Sequence, residues 1–248
     1  MTDKRPKVLI LGSAPSAMAA RDWPRGPFSH VLAINNAWRI RDDWDILVHP
    51  EDFPVENRPR RTERSQRIVS AKEYVPAQNK YGGFVYAGGT MAFTAGYWAL
   101  AALHPAVLAY LGCDMVYPKS GKSHFYGRGT ADPLRPDVTL RSLEAKSARL
   151  ALMGAGQGCH VVRLSSGHSR LAFPSVSKDD LSAAGLPDAN GMQRALSAEA
   201  KIDYSVPSGR YWEVEERFDP NVIDRLDRLW LSTYKAAIPD QAVCSVLS

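Results

Sequence analysis

Short apolar runs alternate with longer segments of helical pattern over the first two thirds of the chain. Each run has three to five residues and is bounded by charged, polar or glycine positions. Runs of this kind are typical of strands covered on both faces of a parallel sheet. They predict five strands, at 7–11, 31–34, 46–48, 107–111 and 160–164.

The segments between these runs favour helices. Residues 17–20 are compatible with a helix, an Ala-rich helix is expected to open at Gly88-Gly89-Thr90 and end before Pro105, and 139–156 has a helical pattern that stops at a glycine-rich turn. Strands that alternate with helices indicate an α/β fold. We therefore predict a Rossmann-like, doubly wound and mostly parallel sheet with helices on both faces.

The pattern changes twice along the chain. Residues 54–81 are polar and rich in Pro and Arg, and we expect a solvated loop and helix there rather than a phosphate clamp. From about residue 176 the only good helical pattern is at 219–236. We divide the chain into a nucleotide-binding and catalytic domain, 1–175, and a C-terminal helical extension, 176–248. The extension is expected to pack on that domain or on a partner subunit, which leaves a homo-oligomer open.

The apolar segment 91–112 is about as long as a membrane span. His104-Pro105 interrupts it, and no Lys or Arg flanks its start. A packed helix followed by a buried strand explains it better, so no membrane span is expected. The N-terminus has only five apolar residues before Gly12, too few for a secretory signal, and a cytoplasmic protein is the expectation.

Composition and charge exclude several classes of protein. Six Trp and ten Tyr argue against disorder, and a net charge of +5 is too small to indicate a nucleic-acid partner. The three cysteines, at 113, 159 and 244, form no CxxC pair, so neither a disulfide framework nor a zinc site is indicated.

Polar and small residues follow the predicted strands, at the sheet edge where doubly wound proteins bind ligands. They are Gly12, Ser13, Ala14 and Ser16 after the first strand, Asn35 and Asn36 after the second, His49 after the third, Asp114 and then Tyr117 and His124 after the fourth, and Ser166 after the last. Gly88, Gly89 and Thr90 open the Ala-rich helix and are expected to expose backbone N–H groups to an anion.

Each of these residues also has a purely structural interpretation. Gly12-Ser13 is compatible with a tight turn and a helix cap, and Asn35-Asn36 with a turn alone. The first loop is neither GxGxxG nor a P-loop, which argues against NAD and P-loop chemistry. Asp43-Trp44-Asp45 precedes its strand and lies at the wrong edge of the sheet for a metal–diphosphate site.

Seven segments in order resemble the bacterial sialyltransferases of glycosyltransferase family 42, and equally the related domain of 6-hydroxymethylpterin diphosphokinases and motility accessory glycosyltransferases. They are VLILGSAPS, LAINNAW, ILVHPED, GGTMAFTAGYWALA, VLAYLGCDMVY, SHFYG and CHVVRLSSGHSRL, and they span about residues 7–175. The resemblance implies a sialyltransferase variant of the GT-A-like fold. It also implies an inverting transferase that takes a CMP-sugar donor, requires no cofactor and uses a glycan or small-molecule acceptor.

The resemblance also implies roles for individual residues. His124 matches the catalytic base of a Ser-His-aromatic motif. Asn35, His49 and Asp114 match nucleotide contacts, as does the first loop. Gly89 and Thr90 match a phosphate-facing helix start. An imidazole that titrates near neutrality suits the removal of a proton from an acceptor hydroxyl.

Three departures from the family keep alternatives open. Phe84-Val85-Tyr86 stands where the family has an Arg, only Tyr117 and Tyr126 are near the place of its phosphate-gripping tyrosines, and nine residues separate Asp114 from His124. One alternative is a Mg²⁺-dependent diphosphokinase that uses ATP, with Asp114 contacting the metal through water. Another is a nucleotide-binding module without catalytic activity.

Overall fold

The computed structural model describes residues 3–118, 121–129 and 135–238. In this part of the chain six parallel strands form one sheet in the order β4-β3-β2-β1-β5-β6. The strands are β1 (Lys7–Leu11), β2 (His30–Ile34), β3 (Ile46–Val48), β4 (Arg67–Val69), β5 (Val107–Leu111) and β6 (His160–Arg163). The predicted α/β fold with a parallel sheet is confirmed.

Helices flank this sheet. The α-helices are α1 (Ala71–Asn79), α2 (Phe84–Ala87), α3 (Met91–Leu103), α4 (Leu143–Ala155), α5 (Gln193–Ile202) and α6 (Pro220–Ala237). The 3₁₀ helices are Pro15–Ala20, Asn35–Ile40, Val55–Asn57, Val138–Leu140, Ala189–Met192 and Tyr211–Arg217. None of the helices in the described ranges has the length and hydropathy that crossing a bilayer requires.

The two faces of the sheet are covered differently. Alternate residues of each strand point to opposite faces. On one face Val8, Ile10 and Leu108 lie in a core with α1 to α6, and on the other Leu9 and Leu11 lie in a core with the 3₁₀ helices Pro15–Ala20 and Asn35–Ile40. The chain winds outward from β1 to β4 and then returns to add β5 and β6. Because crossovers are right-handed, the connections before and after this reversal lie on opposite faces of the sheet.

Strand β4 lies in the segment that we expected to be loop and helix. Strand β4 is one of the two edge strands, and in it Arg67 and Ile68 are exposed and only Val69 is buried. A three-residue edge strand with two exposed side chains has no apolar run that would predict it. The helical part of the expectation corresponds to α1.

The opening of α3 is as the sequence predicts. Thr90 is the N-cap, and its hydroxyl oxygen accepts a hydrogen bond from the Phe93 N–H over 3.3 Å. The helix ends at Leu103 because His104 adopts a left-handed conformation, with φ of 46°, before Pro105. Only the link from His104 to Ala106 separates α3 from β5, so α3 begins at the carboxyl edge of the sheet.

The C-terminal segment packs against α4. Helix α6 corresponds to the predicted helix, whereas α5 was not predicted. Two enclosed ion pairs join these helices to α4, Arg149 with Glu199 of α5 and Lys146 with Asp227 of α6. Two of the three cysteines, at 113 and 159, are buried and free, and the third lies outside the described residues.

Candidate functional site

The reversal of strand order lies between β1 and β5, and the loops that follow these strands are tied together. The Gly12 N–H donates to the Leu111 carbonyl over 2.8 Å, and the Ala14 N–H donates to the Gly112 carbonyl over 2.9 Å. A Cβ on Gly12 would lie 2.3 Å from the Gly112 carbonyl oxygen and 2.5 Å from Cys113 Sγ. The glycine is therefore required for the close approach of the two loops.

Asp114 connects the ends of three strands. Its Oδ2 accepts a hydrogen bond from Ser16 Oγ, after β1, over 3.3 Å. Its Oδ1 accepts one from Ser165 Oγ, after β6. The Asp114 carbonyl also accepts from the Arg170 N–H over 2.9 Å. The carboxylate thus holds two hydroxyl groups at the carboxyl edge.

Ser165 makes this contact, and the neighbouring Ser166, which we predicted as a nucleotide contact, does not. Ser165 is 8% exposed, whereas Ser166 is exposed. The sequence places both serines directly after the last strand. Only the direction in which the chain leaves β6 decides which of them turns toward Asp114.

Asn35 and Asn36 bring unpaired acceptors to the same edge. Asn35 has a left-handed φ of 51°, which Asn tolerates better than most residues. Both side-chain amide oxygens are buried without a hydrogen-bond partner among the described residues, and Asn36 as a whole is 7% exposed. A buried acceptor without a partner is costly, and a ligand that supplies N–H or O–H donors would remove that cost.

His49 follows β3 and is almost enclosed. Its Nδ1 lies 2.8 Å from the Pro50 carbonyl oxygen, and its ring lies 5.1 Å from the ring of Phe53. A carbonyl oxygen only accepts, so Nδ1 carries the hydrogen. In the neutral ring Nε2 is then a hydrogen-bond acceptor.

His124 is held against the first loop by backbone contacts. The N–H of His124 donates to the Gly127 carbonyl over 2.9 Å, and the Gly127 N–H donates back over 3.0 Å. The next residue, Phe125, donates its N–H to the Ser13 carbonyl over 2.9 Å. The loop that carries the predicted base therefore lies beside the first loop.

The surroundings of the His124 ring favour its neutral form. The ring lies 6.0 Å from that of Tyr117 and 5.1 Å from that of Tyr126. Burial lowers the pKa of His124 from its ordinary value, because an enclosed imidazolium loses hydration. Burial therefore favours the neutral ring, which is the form that can accept a proton.

The glycines before α3 do not expose the amides that we expected. The Gly88 N–H donates to the Phe84 carbonyl over 2.8 Å, and the Gly89 N–H donates to Thr139 Oγ1 over 3.1 Å. Thr90 caps its own helix. The expectation of free amide donors at Gly88 and Gly89 is corrected, because the Gly88 amide closes the turn of α2 and the 3₁₀ helix at Val138–Leu140 binds the Gly89 amide.

The cluster that covers Gly89 was not predicted from sequence. Asp137 accepts hydrogen bonds from the Thr139 hydroxyl over 2.6 Å and from the Tyr211 hydroxyl over 2.7 Å. Arg135 donates to the Tyr211 oxygen over 3.1 Å. Tyr211 lies 74 positions beyond Asp137, and no local pattern signals such a contact.

The described residues contain no group of three or more His, Cys, Asp and Glu side chains placed to hold a metal ion. Comparisons with protein-family models, with curated proteins and with solved structures find no match.

Proposed function

We propose that this chain is a nucleotide-sugar-dependent glycosyltransferase of the sialyltransferase-like type, which takes a CMP-sugar donor and inverts its anomeric centre. One observation carries the proposal: the loop that bears His124 is hydrogen-bonded to the loop after β1, at the switch in strand order. A base at the usual ligand site of a doubly wound sheet suits the activation of an acceptor hydroxyl.

The nucleotide would lie across the ends of β1, β2 and β5. The unpaired amide oxygens of Asn35 and Asn36 would accept N–H or O–H donors of the nucleotide. Ser13 and Ser16 lie on the loop that Asp114 holds, and we expect them to face the ribose and phosphate. Because the amides of Gly88 and Gly89 are already bonded and Ser16 already donates its hydrogen to Asp114, the Ser13 hydroxyl is the better candidate to contact the phosphate.

The transfer step uses His124 as the base. Its Nε2 takes the proton of the acceptor hydroxyl as that oxygen attacks the anomeric carbon of the donor sugar. The bond from this carbon to the phosphate oxygen breaks, and CMP leaves with the electron pair. Attack from the face opposite CMP inverts the configuration. Hydrogen-bond donors around the departing phosphate would stabilise its growing charge.

A thermal-shift panel tests the proposal. CMP, CDP, UDP, GDP, ADP and ATP are each added with Mg²⁺ or with EDTA, since a ligand of the native state raises the melting temperature above its Kd. A shift by CMP that persists in EDTA is expected. A shift by ATP only with Mg²⁺ would replace the proposal with diphosphate transfer, and no shift by any nucleotide would overturn both.

Turnover then separates an enzyme from a binding module. The nucleotide that binds is supplied as its sugar conjugate with a set of glycan and small-molecule acceptors, and release of the free nucleotide is measured. Release that requires His124 supports the transferase. Binding without any release, with wild-type protein and every acceptor, would favour the module that lacks catalysis.

A further inference from the structure

One edge of the His124 ring is enclosed by its own loop. Nδ1 lies 2.9 Å from Ser123 Oγ, and both residues are 9% exposed. The Gly129 N–H donates to the same Oγ over 3.3 Å. A Cβ on Gly129 would lie 2.9 Å from both Cε1 and Nδ1 of the ring, so the backbone closes this side. Nε2 is therefore the nitrogen left for a substrate.

The partner of Nδ1 is a hydroxyl group and not a carboxylate. The titratable rings that pack on His124 are Tyr117 and Tyr126, and no charged group among the described residues acts on its ring. A carboxylate beside a histidine can only accept from the ring, which fixes the proton on the near nitrogen. A hydroxyl can donate or accept, so its other contacts decide the direction.

The contact from Gly129 leaves Ser123 Oγ able to act in either direction. A hydroxyl oxygen has two lone pairs and one hydrogen. The Gly129 N–H occupies one lone pair, and the second can accept from Nδ1. A neutral imidazole carries a single hydrogen, and Nε2 accepts a proton only if that hydrogen is on Nδ1.

We infer that Ser123 is a positioning residue whose Oγ accepts the Nδ1–H of His124, which keeps the hydrogen on Nδ1 and leaves the Nε2 lone pair directed at the substrate. The inference rests on the proposed function, because it assigns how that base is prepared. When Nε2 takes the acceptor proton, both ring nitrogens carry hydrogen and the Nδ1–H bond to Ser123 persists. The same hydroxyl thus supports the ring before and after proton transfer.

Nitrogen NMR of the ¹⁵N-histidine-labelled protein tests the tautomer directly. His124→Gln identifies the signals of His124. The wild-type protein is expected to show the hydrogen on Nδ1 at neutral pH. Ser123→Ala should shift the equilibrium toward the tautomer with hydrogen on Nε2. It should also lower the pKa of His124, because the charged ring loses an acceptor.

The opposite tautomer in the wild-type protein, or a pKa of His124 that rises in Ser123→Ala, would overturn the inference. If Ser123 donates to Nδ1, the wild-type ring carries its hydrogen on Nε2, and Ser123→Ala raises the pKa of His124 because the neutral form loses a donor. Ser123→Thr keeps the hydroxyl and should restore the wild-type tautomer. Ser29→Ala is a matched control, since Ser29 Oγ lies 3.0 Å from His30 Nδ1 at the other edge of the sheet and should leave the signals of His124 unchanged.

NMR of a second variant and a turnover assay distinguish failure of the Ser123 inference from failure of the proposed function. Gly129→Ala retains the hydroxyl but pushes on the ring, so it should disturb the same signals even if Ser123→Ala does not fold. In a turnover assay Ser123→Ala should lower kcat by about 10²-fold with little change in KM. If His124 carries its hydrogen on Nδ1 but CMP does not bind, only the proposed function is contradicted. If the CMP-sugar is turned over but the hydrogen is on Nε2, only the role of Ser123 is contradicted.

Discussion

The amide of Phe125 donates to the carbonyl of Ser13 over 2.9 Å, which joins the loop after β5 to the loop after β1. Because this bond is made by main-chain atoms, it does not depend on the side chain of His124. The histidine can therefore be replaced without releasing the loop. Removal of the imidazole should therefore lower turnover and leave nucleotide binding intact.

His124→Ala is expected to lower turnover by roughly 10²–10⁴-fold, the usual contribution of a general base, while the thermal shift by CMP persists. His30→Ala serves as the control because His30 begins β2 at the opposite edge of the sheet. Equal turnover of His124→Ala and wild-type protein would remove the base from the mechanism.

Ser165→Ala is expected to destabilise the protein by about 1.5–3 kcal/mol, because a hydroxyl bond to the Asp114 carboxylate is lost. Ser166→Ala, at the exposed neighbouring position, should be almost neutral. Urea unfolding of the two variants measures the difference. Equal midpoints would mean that Ser165 contributes little to holding the strand ends together.

Gly12→Ala places a methyl group against backbone and should cost about 1–3 kcal/mol or more, because the Gly112 carbonyl cannot rotate away. Gly167→Ala is the matched control, since nothing lies within 4 Å of a Cβ at that position. Thermal unfolding should separate the two variants by several degrees. Nucleotide binding should also weaken in Gly12→Ala if the loop after β1 contacts the ligand.

Five strands of the sheet were predictable from sequence because they are local apolar runs, whereas the exposed edge strand β4 was not. The residues after β1, β2 and β3 could be assigned to one edge, since parallel strands end together. The covering of Gly89 could not be predicted in this way. It depends on Thr139 and Tyr211, which reach the glycine only through tertiary packing.

Glu199→Ala is expected to destabilise the protein by about 3–5 kcal/mol, because it leaves the Arg149 guanidinium enclosed without a counter-charge. The carboxylate also accepts from Trp230 Nε1 over 2.7 Å, so α5 and α6 lose a shared anchor. Glu213→Ala breaks an exposed pair with Arg210 and should cost about 0–1 kcal/mol. Denaturant unfolding of both variants provides the comparison.

Helix α5 was not predicted because one of its two buried residues, Glu199, is charged. Helix α5 presents charged and polar residues around Ala195 and Glu199, the two of its residues that are buried. From sequence alone a glutamate is expected to be exposed to solvent, so the burial of Glu199 is not anticipated. Its role appears only when Arg149, fifty positions earlier, is seen opposite it.

Protein stability should fall as the pH drops below about 6.5. Burial lowers the folded-state pKa values of His124 and His160 from the ordinary 6.5, so the unfolded chain binds protons first. Their contribution is present above pH 6.5 and is lost as the pH falls through the folded-state values. His160 Nδ1 is buried without a partner among the described residues, which penalises its charged form.

Unfolding free energies at pH 7.5 and 5.5 measure this effect. His160→Gln should lose less stability over the interval than wild-type protein, and His124→Gln should behave likewise. His104→Gln is the control, since His104 is exposed at the end of α3. An unchanged pH dependence in both buried-site variants would show that neither histidine is responsible.

The unequal covering of the sheet has a consequence for local unfolding. Hydrogen bonds in 3₁₀ helices have poorer geometry than those in α-helices, and such helices are short. Segments Pro15–Ala20 and Asn35–Ile40 should therefore open more readily than α3 and α4, with faster amide hydrogen exchange. Ser16, Asn35 and Asn36 lie in these two segments. A ligand bound there should slow exchange in these two 3₁₀ helices and leave exchange in α3 and α4 almost unchanged.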